Sequence, residues 1–198
     1  MPSGKMRTWI IGDSIVYWAN RNASYSPPCS TLTWCGLRGA RLEALIPTLR
    51  RQLRSRPVPH MLIIHLGTND LFSIPVKEIR ERIEEGLQAA RNLLPGTTII
   101  WSDILPRLFY FGEIKRNAGR RNVRALNRFA QRICTGLGNA HRIVHTSNFM
   151  ASQHAMFRCD GVHLSPLGNE IFCGNLYLAI EYFAVNPLSL LYPPSLQS

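Results

Sequence analysis

Four short segments hold the residues whose types and spacing could do chemistry. Asp160-Gly161-Val162-His163 sets a carboxylate three residues before an imidazole, directly ahead of Ser165 and Pro166, a good N-cap and a good first-turn residue for the helix that follows. The helix start fixes that loop. Asp160 is near enough to accept from one imidazole nitrogen, which leaves the other to take a proton from a hydroxyl. Gly12-Asp13-Ser14 ends the apolar run Thr8-Trp9-Ile10-Ile11, so Ser14 sits on a strand-to-helix turn with its hydroxyl and its own N–H exposed. Leu66-Gly67-Thr68-Asn69-Asp70 closes a second apolar run, and the Asn69 side-chain amide can donate to a developing oxyanion. Gly36-Leu37-Arg38-Gly39 offers a glycine N–H close to a helix start. A nucleophile, a base with its orienting acid and oxyanion donors are what acyl transfer needs.

Each segment also has an ordinary reading. Gly-Asp-Ser caps helices, asparagine tolerates turns, and Asp-Gly makes surface turns. Either Gly36 or Gly39 could supply the backbone donor. His141-x-x-x-His145 has the spacing of a metal pair but reads as packing plus a surface imidazole, and Cys159 reads as a plain small residue. No Gly-x-Ser-x-Gly elbow, dinucleotide fingerprint or phosphate-cradling glycine loop is present.

The elements that must position these residues alternate. Strands are expected at Thr8–Ile11, Thr31–Cys35, Met61–Leu66, Thr97–Trp101 and Arg142–Val144. Their continuous β-branched character suits strands buried on both faces. Helical patterns fill Arg41–Leu53, Pro75–Leu94, Glu113–Leu137 and Pro166–Phe183, the first with Leu42, Leu45, Ile46 and Leu49 along one face. Alternation of this kind predicts parallel βαβ units and a three-layer α/β domain over residues 1–185. The Pro- and Ser-containing stretch 186–198 reads as a loose tail or a linker. In such sheets ligands bind beyond the carboxyl ends of the strands, where Ser14 and Asn69 fall.

At 198 residues the chain suits one domain, and 45% hydrophobic content excludes a disordered class. No apolar run reaches the ~20 residues of a bilayer span, and the N-terminal one is too short for a secretory signal. Five scattered cysteines argue against a disulfide framework, so an intracellular, cytoplasmic location is expected. The net charge of +11 comes from 23 basic residues, 20 of them arginine, against 12 acidic ones. That balance permits nucleic acid, an anionic membrane or an acidic substrate as partner.

Taken in order, Gly12-Asp13-Ser14, Gly39, Gly67-Thr68-Asn69-Asp70 and Asp160-x-x-His163 resemble the four blocks of the SGNH (GDSL-like) hydrolase superfamily. The resemblance spans residues 8 to about 180. It implies a flavodoxin-like α/β/α sandwich, a five-stranded parallel sheet of order 2-1-3-4-5, and hydrolysis of small or lipid-derived acyl esters. By that match Ser14 is the nucleophile, His163 the base and then acid, and Asp160 its orienter. Ser14 N–H, Gly39 N–H and the Asn69 amide form the oxyanion hole, and no metal or organic cofactor is expected. Within the superfamily, the wording of the blocks is similar to esterase domains carried by some animal retroelements and to the platelet-activating-factor acetylhydrolase branch.

One feature stands outside that scheme. Arg116, Arg120, Arg124, Arg128 and Arg132 recur every four residues, with Lys115 and Arg121 beside them, opposite an apolar face. Successive like charges at i, i+4 cost an isolated helix roughly 1–2 kcal/mol in total. Binding of nucleic acid or of an anionic membrane, with weak or absent hydrolysis, is the alternative function this stripe suggests; a solvated face is the ordinary one. Arg50, Arg51, Arg54 and Arg56 form a second basic cluster. Leu105, Leu108, Phe109, Tyr110 and Phe111 are the candidates for an acyl pocket.

Overall fold

The computed structural model describes residues 4–23, 25–109, 116–145, 149 and 154–193. Its centre is a parallel sheet of six strands: β1 (Met6–Gly12), β2 (Ser30–Gly36), β3 (Met61–His65), β4 (Thr98–Ser102), β5 (Ala140–Ile143) and β6 (Leu191–Tyr192). Their order is β2-β1-β3-β4-β5-β6. Five helices connect or follow them: α1 (Ser14–Asn22), α2 (Leu45–Leu53), α3 (Val76–Leu93), α4 (Arg116–Leu137) and α5 (Pro166–Val185).

The apolar strand runs are buried on both faces, which is why they lack polar alternation. Trp9, Ile11, Leu62, Ile64, Ile99 and Trp101 face α2, α3 and α4 through Leu49, Ile83 and Leu126. Ile10, Ile63, Ile100 and Ile143 face the other way, onto Val16 of α1 and Phe172, Leu176 and Ile180 of α5. These faces make the expected α/β/α sandwich with the expected order of the first five strands. The sixth is a correction. Leu191 and Tyr192 pair parallel with Arg142 and Ile143 of β5, inside the stretch that reads as a tail. A two-residue strand at a sheet edge has no periodicity for a sequence to display.

The chain leaves β1 for β2 on one side and returns to β3 on the other, so the switch point lies beside β1. Two glycines let α1 sit close to these strand ends. A Cβ on Gly12 would come within 2.2 Å of Val16 and 2.7 Å of the His65 carbonyl. One on Gly36 would come within 2.3 Å of the Tyr17 nitrogen. No helix among the described residues is long and apolar enough to cross a membrane.

Candidate active site

Ser14 opens α1 directly beyond β1, as its place after an apolar strand predicts. Asp13 is the N-cap, its carboxylate accepting from the Ile15 N–H at 2.8 Å. Burial pushes that carboxyl up to about 6, against the opposing pulls of the Ile15 N–H, Arg107 and His163. Capping thus occupies Asp13 and leaves Ser14 facing outward, its hydroxyl without a hydrogen-bond partner among the described residues.

The two glycines that the sequence left open separate cleanly. Gly36 is the last residue of β2, its hydrogens against the backbone of α1. Gly39 has φ of 72°, a conformation that favours glycine, with open space where a Cβ would stand. A turn held by the Leu37 N–H on the Gly12 carbonyl (2.9 Å) carries it there.

Asn69 is held from both ends. Its Nδ2 donates to the Ala40 carbonyl at 2.9 Å, and its Oδ1 accepts from Arg107 Nη2 at 3.1 Å. Because a guanidinium can only donate, Arg107 fixes which end of the amide is oxygen. An amide nitrogen carries two hydrogens, and Ala40 uses one of them. The next residue, Asp70, is fully buried and accepts from the Leu42 N–H at 3.1 Å, tying this loop to the start of the helical turn Leu42–Ala44 that leads into α2.

Asp160 and His163 do meet. Asp160 Oδ2 lies 2.7 Å from His163 Nδ1, and Oδ1 accepts from the N–H groups of Val162 (2.8 Å) and His163 (2.9 Å). Partial burial pushes the Asp160 carboxyl up, but these three bonds outweigh it and hold the group below the usual carboxylate value. With Nδ1–H engaged, Nε2 is the nitrogen left to act. The loop is anchored at its far end by Ser165, which caps α5 through the Gly168 N–H, and in its middle by the Leu108 N–H on the Gly161 carbonyl at 2.9 Å.

Ser14, Gly39, Asn69, Asp160 and His163, drawn from four separate loops, line one cleft of about 680 Å³ together with Arg38, Arg107 and Val162. Residues 10–171 match the profile of the GDSL-like lipase/acylhydrolase family. The chain belongs to that family.

Membership makes it a carboxylic ester hydrolase of the SGNH type, and its fold has solved counterparts. The esterase EstA from Pseudoalteromonas aligns with a TM-score of 0.67 at 16% identity, over 92% of this chain and 100% of that one. A Streptococcus pneumonia protein provisionally assigned as a platelet activating factor gives 0.66 at 21% identity, over 92% and 86%. The lipase/acylhydrolase from Enterococcus faecalis gives 0.65 at 18%, over 89% and 96%. No curated protein matches the chain in sequence.

Other expectations fare differently in this family member. Leu105 and Leu108 are buried within the hydrophobic core, while Phe109 is exposed and lies where a Cβ on Gly161 would stand. Tyr110, Phe111, Glu113, Ile114 and Lys115 fall outside the described residues. His141 stacks on Phe183 while His145 bonds Ser102 at 2.8 Å, so that pair is divided. Of the arginine stripe, Arg121, Arg124, Arg128 and Arg132 are exposed on α4, and Arg120 is half-buried. None of them lines the cleft. Arg107 was the residue missed: a buried arginine in the apolar loop Leu105-Pro106-Arg107-Leu108, where a lone charge after a strand end was the only signal.

Proposed function

We propose that this ester hydrolase works through Ser14, His163 and Asp160 on small acyl esters. Ser14 Oγ attacks the ester carbonyl carbon while His163 Nε2 takes its proton. The N–H groups of Ser14 and Gly39 and the free N–H of Asn69 hold the resulting oxyanion. Collapse expels the alcohol, which takes the proton back from His163, and leaves an acyl group on Ser14. Water, deprotonated by His163, then releases the acid and restores the serine. Asp160 keeps Nδ1 protonated and stabilises the imidazolium. Arg107 positions the Asn69 amide and polarises it.

The observation that carries this reading is the convergence of all five residues on one cleft. Small acyl esters are the substrates that membership of this esterase family suggests. The test is turnover of p-nitrophenyl esters from acetate to octanoate by the wild type and by Ser14→Ala. Activity highest on the shortest esters and lost in the variant supports the reading. Rates that rise with chain length would refute the small-acyl part, and a fully active Ser14→Ala protein would refute the nucleophile.

A further inference from the structure

The arginines that hold this fold together are all engaged. Arg142 grips Asp103 with two bonds of 2.6 and 2.7 Å. Arg82 pairs with Glu43 and Glu78. Arg91 donates to the carbonyls of Thr97, Gly138 and Asn139, and Arg158 lies 4.7 Å from the centre of the Trp18 ring. The groove between α3 and α4 is different. There Arg80 from α3 meets Arg128 and Arg132 from α4 in a depression of about 440 Å³, floored by Phe129 and edged by Gln131 and Thr135. Arg80 and Arg132 stand 5.8 and 5.5 Å from the centre of the Phe129 ring. Among the described residues no carboxylate forms an ion pair with any of the three, and α4 carries six arginines and no acidic residue.

We propose that this groove binds the phosphate backbone of a nucleic-acid strand, apart from the catalytic cleft. Three guanidiniums converge on one depression, each planar and suited to bidentate contact with phosphate oxygens. The Phe129 face holds two of them in place by cation–π attraction, so less side-chain freedom is lost on binding. The like charges repel one another in the free protein, and an incoming polyanion relieves that repulsion. A membrane surface fits less well. The exposed large apolar side chains (Phe109, Leu167, Leu178, Val185, Leu188 and Leu190 among them) all lie off α3 and α4, so the groove has none to insert into a bilayer. The contacts are to phosphate, so binding is indifferent to base sequence.

The test is binding of a labelled single-stranded oligonucleotide across a salt series, using the whole chain with the Ser14→Ala change to silence hydrolysis. The comparison is between Arg80→Gln/Arg128→Gln/Arg132→Gln and a charge-matched control, Arg50→Gln/Arg51→Gln/Arg54→Gln. The groove variant should bind at least tenfold more weakly. Its slope of log K against log salt should be shallower by about 2, since each single-strand phosphate contact contributes roughly 0.7. The control should change far less, and melting temperature and ester turnover in the Ser14-containing background should be unchanged. Equal losses in both variants would mean net charge alone acts, and would overturn the site. So would an absence of oligonucleotide binding, or retention on phosphatidylserine vesicles in preference to the oligonucleotide.

Discussion

At the residue scale, the site depends on a few side chains whose partners fix a single orientation. Removing Asn69 with Asn69→Ala should lower kcat by about 10²–10³ with little change in KM, because the proposed role of the amide is to hold the oxyanion of the transition state. Arg107→Ala should lower kcat by about ten- to a hundredfold, since an amide held only by the Ala40 carbonyl can shift out of position. In an Asn69→Ala background the same change should cost almost nothing, and steady-state kinetics on the four proteins of that double-mutant cycle checks it. Asp13 makes a pH prediction. Its folded value of about 6 lies above the ordinary 3.8, so the buried charge opposes folding above pH 6, and the penalty fades as pH falls toward 3.8. Asp13→Asn keeps a capping oxygen without the charge. It should therefore stabilise the protein near pH 8 by up to about 3 kcal/mol, and the advantage should shrink near pH 4.5, as read by thermal melts at the two values.

At the element scale, the strand ends and their glycines set how closely α1 approaches the sheet. Gly36→Ala would place a methyl group against the Tyr17 nitrogen, a backbone atom that cannot swing away. The expected loss is about 1–3 kcal/mol, measurable by denaturant unfolding, with α1 and Ser14 displaced together. These elements also show what a sequence makes legible. The strands through Ile10, Ile63 and Ile100 and the faces of α2 and α3 could be read because continuous apolar runs and helical periodicity are local signals. Ser14, Asn69, Asp160 and His163 could be read because each falls at a punctuated element end. Arg107 could not, because its meaning lies in a contact with Asn69, 38 residues away. The same holds for the different settings of the two glycines, Gly39 lining the cleft and Gly36 packed against α1. Leu105 and Leu108 illustrate a related point: an apolar residue looks the same in text whether it lines a pocket or fills a core.

At the scale of the whole molecule, the cleft and the proposed anion groove lie on separate surfaces. The carboxyl edge of the sheet gathers five loops into the cleft, and the one bearing Arg107 braces the one bearing His163 through the Leu108–Gly161 bond. The α3–α4 groove holds Arg80, Arg128 and Arg132, without an ion pair among the described residues, and shares no residue with the cleft. Changes on one surface should therefore leave the other's function intact, within the small coupling expected of distant sites. The central claim is that Ser14 is the nucleophile. It is tested most directly by treating the protein with a fluorophosphonate and locating the adduct by peptide mass spectrometry. The account predicts stoichiometric modification on Ser14, abolished in Ser14→Ala and slowed in His163→Ala. An unmodified Ser14 in a folded protein that still turns over esters, or an adduct on a different residue, would contradict it.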